Sequence, residues 1–293
     1  MGIQNTALQE KVNALSSQFH PDGTIKSKTP QNKPKQLSLP GWEDKSWGAP
    51  NAVLRGALFA ATQGRNRRLC ERELIATLEG YEIRYTGIQL TQSDLNLWEA
   101  LLHLSRANPL GSEALFSAYE ILKQLGKGTS KTDYESLKKS LARLRSADVE
   151  ITIKNEKTYF GQLCGISGEL DEKTDEYRFK FSGGLISLFD SGWSKIDFEQ
   201  RQQLKDKPLA LWLHGLYSSH ARPYPMKIES IHKLCGSDTK QLKHFTASVK
   251  KAHQDLIEIG LLKKFEVSNG IVSVEKKATK SQLKHLKNKG EKK

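Results

Sequence analysis

The cationic side chains of this chain recur at spacings suited to gripping a polyanion. Within residues 130–147, Tyr134, Leu137, Leu141 and Leu144 fall at helical spacing and predict one buried stripe. At about 100° per residue, Thr132, Ser136, Lys139 and Arg143 project away from that stripe, with Lys131 and Lys138 on its flank. Residues 238–259 repeat the plan. Leu242, Phe245, Val249, Ala252, Leu256 and Ile259 line the inner side, and Lys240, Lys243, His244, Ala247, Lys250, Lys251 and Gln254 face outward. A helix of this kind fits the DNA major groove, where basic and small polar residues meet phosphates and base edges. The pattern also describes an ordinary solvated helix, so the neighbouring elements carry weight. A third group, Arg65, Arg67 and Arg68, suits bidentate contact with phosphate or guanine. Glu71 and Glu73 stand close enough in sequence to be its partners instead, and spacing leaves both readings open.

Composition favours the polyanion. Lys and Arg number 46 against 33 Asp and Glu, a net charge of +13. Such an excess suits a partner whose condensed counterions basic side chains displace. With 37% hydrophobic and 27% charged residues the chain can bury a core, and no run of about 18 apolar residues exists to span a bilayer. The first residues lack a basic stretch followed by an apolar core, so no secretory signal and a cytoplasmic location are expected. The three cysteines, Cys70, Cys164 and Cys235, are widely spaced with no CxxC pair, and reduced thiols in or near the core are expected.

Catalysis has no support. Gly126-Lys127-Gly128-Thr129 resembles a phosphate loop only in part, because the upstream glycine is missing and a helix precedes it. No His-x-His or HExxH pair occurs among the eight histidines, and no Ser/His/Asp order stands out. Neither enzymatic activity nor a catalytic residue, metal or cofactor is expected.

The elements that must position these faces follow from period and punctuation. Residues 1–48, rich in Lys, Gln, Ser and Thr and punctuated by Pro21, Pro30, Pro34 and Pro40, read as a flexible arm. A helical pattern occupies 52–61 and, past the arginine-rich turn, 73–78, with a strand over 82–86. Helices are predicted from Thr91 or Ser93 to Ser105, from Ser112 to Leu125 and over 130–147, then strands over 149–154, 159–167 and 176–182. Helices at 209–218, 226–234 and 238–259 follow, the last with Asp238 and Gln241 spaced as a capping box. A hairpin over 261–267 and 271–275 turns at Ser268-Asn269-Gly270. Three helices and a hairpin, twice over, predict an α+β fold of two tandem winged-helix domains, 49–192 and 193–275. A disordered arm precedes them and a solvated lysine-rich tail, 276–293, follows.

Three runs carry a family resemblance: PNAVLR at 50–55, ALFAATQGRNRRL at 57–69 and LWEALLHLSR at 97–106. They are similar to the TrfA replication initiators of broad-host-range plasmids. The resemblance implies a protein that binds direct repeats (iterons) at a plasmid origin, promotes opening of the origin and recruits host replication proteins. Double-stranded origin DNA and its opened single strands would be the nucleic-acid partners. The protein partners implied are the replicative helicase, the initiator ATPase and the polymerase sliding clamp. The monomer would be the active form, with dimers restraining copy number. The run Gln36-Leu37-Ser38-Leu39-Pro40 resembles the short motif by which bacterial proteins bind the sliding clamp, with Pro40 in place of the usual aromatic residue. A transcriptional repressor of the same fold, acting at an operator, is the alternative reading.

Overall fold

The computed structural model describes residues 37–63, 67–154, 157–164 and 176–276, together with 278, 279, 282, 283 and 287. The described residues from Leu37 onward group as one compact unit of mixed helix and sheet. Strand β1 (Ser46–Pro50) leads into a single turn, α1 (Asn51–Leu54), and short strand β2 (Phe59–Ala60) follows. Next come β3 (Leu69–Ile75), β4 (Tyr81–Ile88), β5 (Leu90–Thr91) and the first long helix, α2 (Gln92–Ser105). Strand β6 (Glu113–Ser117), α3 (Ala118–Gln124) and α4 (Lys131–Arg145) precede the antiparallel pair β7 (Asp148–Ile153) and β8 (Lys157–Gln162). Strand β9 (Glu176–Lys180), a 3-10 turn at Gly183–Leu185, α5 (Ile186–Asp190), β10 (Trp193–Asp197) and α6 (Phe198–Gln203) complete the first half. The second half is shorter: α7 (Pro208–Ser218), β11 (Met226–Lys227), α8 (Ile228–Leu234), α9 (Leu242–Glu258), β12 (Leu262–Ser268) and β13 (Ile271–Lys276).

Three helices followed by an antiparallel hairpin occur twice, as α2–α3–α4–β7–β8 and α7–α8–α9–β12–β13. The first hairpin extends a four-stranded sheet in the order β3-β4-β7-β8, and the second lies in a three-stranded sheet, β11-β13-β12. Its turn has φ of +50° at Asn269 and +73° at Gly270, the two left-handed residues that a two-residue hairpin loop demands. Two apolar cores result. One gathers side chains from Leu39 to Ile196 around Trp98, and the other runs from Leu204 to Val272.

Several segments differ from their sequence reading, each for a tertiary reason. Of the segment 52–61 only residues 52–54 are helical, as the end of Asn51–Leu54. The next backbone groups are spent elsewhere: Ala57 N–H donates to Ala76 O at 2.8 Å, and Leu78 N–H to Arg55 O at 2.9 Å. A Cβ on Gly56 would lie 2.7 Å from Ala76 O, so glycine is what lets these two backbones meet. Residues 69–75 form β3 against β4, with a bulge between Cys70 and Glu73 and Arg72 at φ +48°. The helix expected from Ser112 begins only at Ala118, because Glu113–Ser117 pairs with β9; Leu115 and Tyr119 are accordingly exposed.

The ends of the chain are also more engaged than composition suggested. Residues 37–48 are not a free arm. Leu39, Trp42 and Trp47 are buried, and β1 pairs with β10. Residues 1–36 lie outside the described residues. Lys276 belongs to β13 rather than to a solvated tail, and its Nζ donates to Tyr217 O at 2.6 Å. Burial pushes that ammonium down to about 8. Cys70, Cys164 and Cys235 are all free thiols and buried.

The two cores are joined by polar contacts. Trp212 Nε1–H on α7 donates to Gly56 O at 2.9 Å, and Ala61 N–H donates to Cys235 O at 2.7 Å. Arg201 on α6, 2% exposed, donates through Nε and Nη2 to Asn96 Oδ1 at 2.8 and 2.5 Å and through Nη1 to Leu211 O at 3.2 Å. Glu99, one turn further along α2, lies 3.5 Å from Arg201 Nε, yet neither of its oxygens accepts a hydrogen bond. The pair is therefore coulombic only. Burial pushes the Glu99 carboxyl up to about 7 against the pull of Arg201.

This raised acid makes a pH prediction. As pH rises from about 4.5 to about 7, the unfolded chain releases the Glu99 proton while the folded chain keeps it, so folding weakens across that window. Glu99→Gln removes the term. Urea unfolding from pH 4.5 to 7.5 should show the variant gaining about 3 kcal/mol relative to wild type. A constant difference across that range would contradict the assignment.

Candidate nucleic-acid interface

Helix α4 starts where local chemistry places it. Ser130 and Asp133 form a reciprocal capping box, with Ser130 N–H donating to Asp133 Oδ2 at 3.1 Å and Asp133 N–H to Ser130 Oγ at 3.3 Å. Leu137, Leu141 and Leu144 are buried, and Tyr134 is half-buried against them. Lys131, Thr132, Ser136, Lys138 and Lys139 are exposed, as the helical projection requires.

Arg143 differs. Its Cα points outward, but the guanidinium turns back and is 17% exposed, with Nε and Nη2 donating to Asp94 Oδ1 at 3.2 and 2.9 Å. Arg67 reaches the same carboxylate from the opposite side: Nη1 donates to Asp94 Oδ2 at 2.6 Å and to Gln89 O at 2.7 Å, and Nη2 donates to Thr91 Oγ1 at 3.0 Å. Asp94 itself is fully buried and caps α2, accepting from Thr91 N–H at 2.9 Å. Two residues expected at the DNA surface are thus partners of one internal carboxylate. Arg143 thereby ties α4 to α2, while Arg67 ties the same carboxylate to the backbone at Gln89 and to Thr91.

Helix α9 presents a longer face. Phe245, Val249, Ala252 and Leu256 are buried, while Lys243, His244, Ala247, Lys250, Lys251 and Gln254 are exposed, and Lys240, also exposed, lies just before the helix. The helix begins at Leu242, so the capping box expected at Asp238 and Gln241 does not form, and Leu242 is 40% exposed rather than internal. His253 on the inner side accepts or donates at Tyr217 Oη, 2.7 Å away, and lies 2.7 Å from Val249 O. Burial holds its pKa below the usual histidine range, so it is a neutral core group.

The remaining expectations separate cleanly. Arg65 and Gln36 lie outside the described residues. Arg68 makes a two-pronged pair with Glu73, Nη2 to Oε1 at 2.7 Å, which settles Glu73 as its partner; hydrogen bonding from Arg68 holds that carboxyl below the usual range. Leu37 is partly exposed and its carbonyl accepts from Leu110 N–H at 2.7 Å, Ser38 is exposed, and Leu39 is buried.

Sequence reasoning missed Asp94 as an anchor, although its position three residues after Thr91 is a capping signal. It also passed over Lys127 and Lys205, both exposed, which line a cleft of about 510 Å³ beside α4. Nothing marks them in sequence, since one lies in a glycine turn and the other in a connection. No cluster of three or more metal-ligating side chains occurs among the described residues, and none of their helices is long and apolar enough to cross a membrane.

Comparison with known proteins places these features in context. The family model described as TrfA protein matches residues 4–276. A plasmid replication initiator protein TrfA of Escherichia coli is 28% identical over 262 residues, which is 85% of this chain and 67% of that protein. A crystal structure of domains 2–3 of RctB superposes with a TM-score of 0.50 at 14% identity, covering 80% of this chain and 99% of that one. A selenomethionine derivative of RctB domains 2 and 3 gives a TM-score of 0.51 at 15% identity, covering 78% and 98%. At these identities the RctB likeness is one of fold.

Removing the shared anchor gives a direct test. Asp94→Ala leaves two half-buried guanidiniums close together without a counter-charge. It should lower stability by about 3–5 kcal/mol in urea unfolding at neutral pH. A loss under about 1 kcal/mol would show that α4 is held by its leucines alone.

Proposed function

The chain belongs to the TrfA family, and on that premise we propose that it is a plasmid replication initiator that binds direct repeats at its origin through two DNA-reading helices. The observation that carries the reading is the pair α4 and α9. Each is the third helix of a three-helix set followed by an antiparallel hairpin, and each keeps a leucine or mixed apolar stripe inside and lysines outside. In this reading residues 49–192 and 193–275 are tandem winged-helix modules, and each third helix enters one major groove. Thr132, Ser136, Lys138 and Lys139 meet the first groove with Lys131 at its edge, and the outer face of α9 meets the second. Arg67 and Arg143 act through Asp94.

Binding two grooves of a repeat array lets the protein load one face of the duplex and assist opening of an adjacent segment. Recruitment of a helicase, an initiator ATPase and the sliding clamp belongs to the same proposal, as does a monomer that binds and a dimer that restrains. The reading makes the protein cytoplasmic and without catalytic chemistry of its own. Engagement of a clamp through Gln36, Leu37, Ser38 and Leu39 requires Leu39 to leave its core.

The test is footprinting and mobility shift on DNA flanking the gene. The wild-type chain should protect a set of direct repeats. Changing Lys240, Lys243 and Lys251 to Ala should weaken binding and make the log–log salt dependence shallower by about 1 for each phosphate no longer neutralised. Wild-type affinity in that triple variant would remove α9 from the interface. Protection of a single operator, with no support of plasmid replication, would indicate a repressor.

A further inference from the structure

The outward faces of α4 and α9 border two clefts with a common rim. The first, about 510 Å³, reaches Ser136, Ser140 and Arg143 on α4. The second, about 370 Å³, passes Ser248 and Lys251 on α9. Thr62, Gln63, Asp206 and Pro208 line both. Both helices therefore open onto one side of the molecule, and a duplex touching both must cross this rim.

Cations from separate parts of the chain converge at the crossing. Lys127 sits in the Gly126–Gly128 turn between α3 and α4, and Lys205 in the connection between α6 and α7. Both line the first cleft and both are exposed. Both also act on Asp133, whose carboxyl is held below the usual range first by hydrogen bonds from Ser130 and then by these two charges.

The two carriers are fixed to each other. Gln202 Nε2 on α6 donates to Leu125 O at 2.8 Å. Gly126, at φ +62°, lies so close to Gln202 that a Cβ would meet its Oε1 at 2.9 Å. Below them, Arg67 and Arg143 share the single negative charge of Asp94, so the floor of the cleft is itself net positive. Five cationic side chains, one of them the buried Arg201, thus outnumber the carboxylates of Asp133 and Asp206 around a polar cleft large enough for a phosphodiester and its waters.

We infer that this cleft is a seat for the DNA backbone between the two grooves entered by α4 and α9, with Lys127 and Lys205 neutralising neighbouring phosphates. The inference rests on the reading that those helices hold DNA, and it adds a sequence-independent grip at a place neither helix supplies. The ligand chemistry is the phosphodiester, so arbitrary duplex suffices as the probe.

The experiment compares the full chain with a Lys127→Ala/Lys205→Ala variant on a random-sequence duplex of about 30 base pairs, from about 50 to about 200 mM salt. The double variant should bind more weakly, with a log–log slope shallower by about 2 and an unchanged thermal midpoint. Preference for origin repeats over random duplex should stay the same, because phosphate contacts carry no base information. Lys127→Arg/Lys205→Arg should restore the slope. Removing two lysines elsewhere, with Lys180→Ala/Lys195→Ala, should leave it within about half a unit of wild type. An unchanged slope in the alanine variant, or an equal change in the Lys180/Lys195 control, overturns the seat while leaving the two-helix reading intact. A wild-type chain that binds no duplex at any salt overturns both.

Discussion

The carboxylate of Asp94 has no solvent contact, and the first half of the molecule is organised around satisfying it. It closes the first turn of α2 and accepts Arg67 from the strand side and Arg143 from α4. A buried charge with one weak partner would be unstable, whereas one with two guanidiniums and a backbone N–H has its lone pairs filled. Since α4 is joined to α2 through this group, the direction of its outward lysines depends on an ion pair made by Arg143, whose guanidinium turns back from the same outward face.

The second half solves the same problem differently. Helix α9 relies mainly on Phe245, Val249 and Leu256, with one buried carboxylate, Asp255, near its end. Its buried polar groups are neutral or locally paired: His253 bonds with Tyr217, and Asp255 accepts from Lys207 at 2.8 Å. The firm connection between halves runs through Arg201, Asn96 and Trp212, so the relative setting of α4 and α9 is fixed by polar geometry as well as by apolar area.

Much of this was legible in the sequence where the determinants are local. The boundaries of α4 follow from Ser130, Asp133 and a leucine stripe within one helix, and the hairpin turn follows from Asn269-Gly270. What was not legible depends on distant partners. Strand β1 exists because β10 returns to meet it, and α1 stops after one turn because Gly56 lies against Ala76. Arg143 shows the limit at a candidate site: a helical projection gives the direction of Cα–Cβ, not where a long side chain delivers its charge. Lys127 and Lys205 lie far apart in sequence and in unremarkable segments, so only the packing of Gln202 on Gly126 brings them together.

The burial of Leu39 has a kinetic and thermodynamic consequence for any partner that must hold that leucine. Its side chain is 6% exposed within the first core. Withdrawing a buried leucine from such a site costs about 1.5–3 kcal/mol. At that cost roughly one molecule in ten to one in a hundred and fifty has it available at a given moment, and apparent affinity falls by the same factor. Any event that loosened residues 37–42 would raise that fraction without creating a single new contact, so the exposure of Leu39 is set by the equilibrium of its own core.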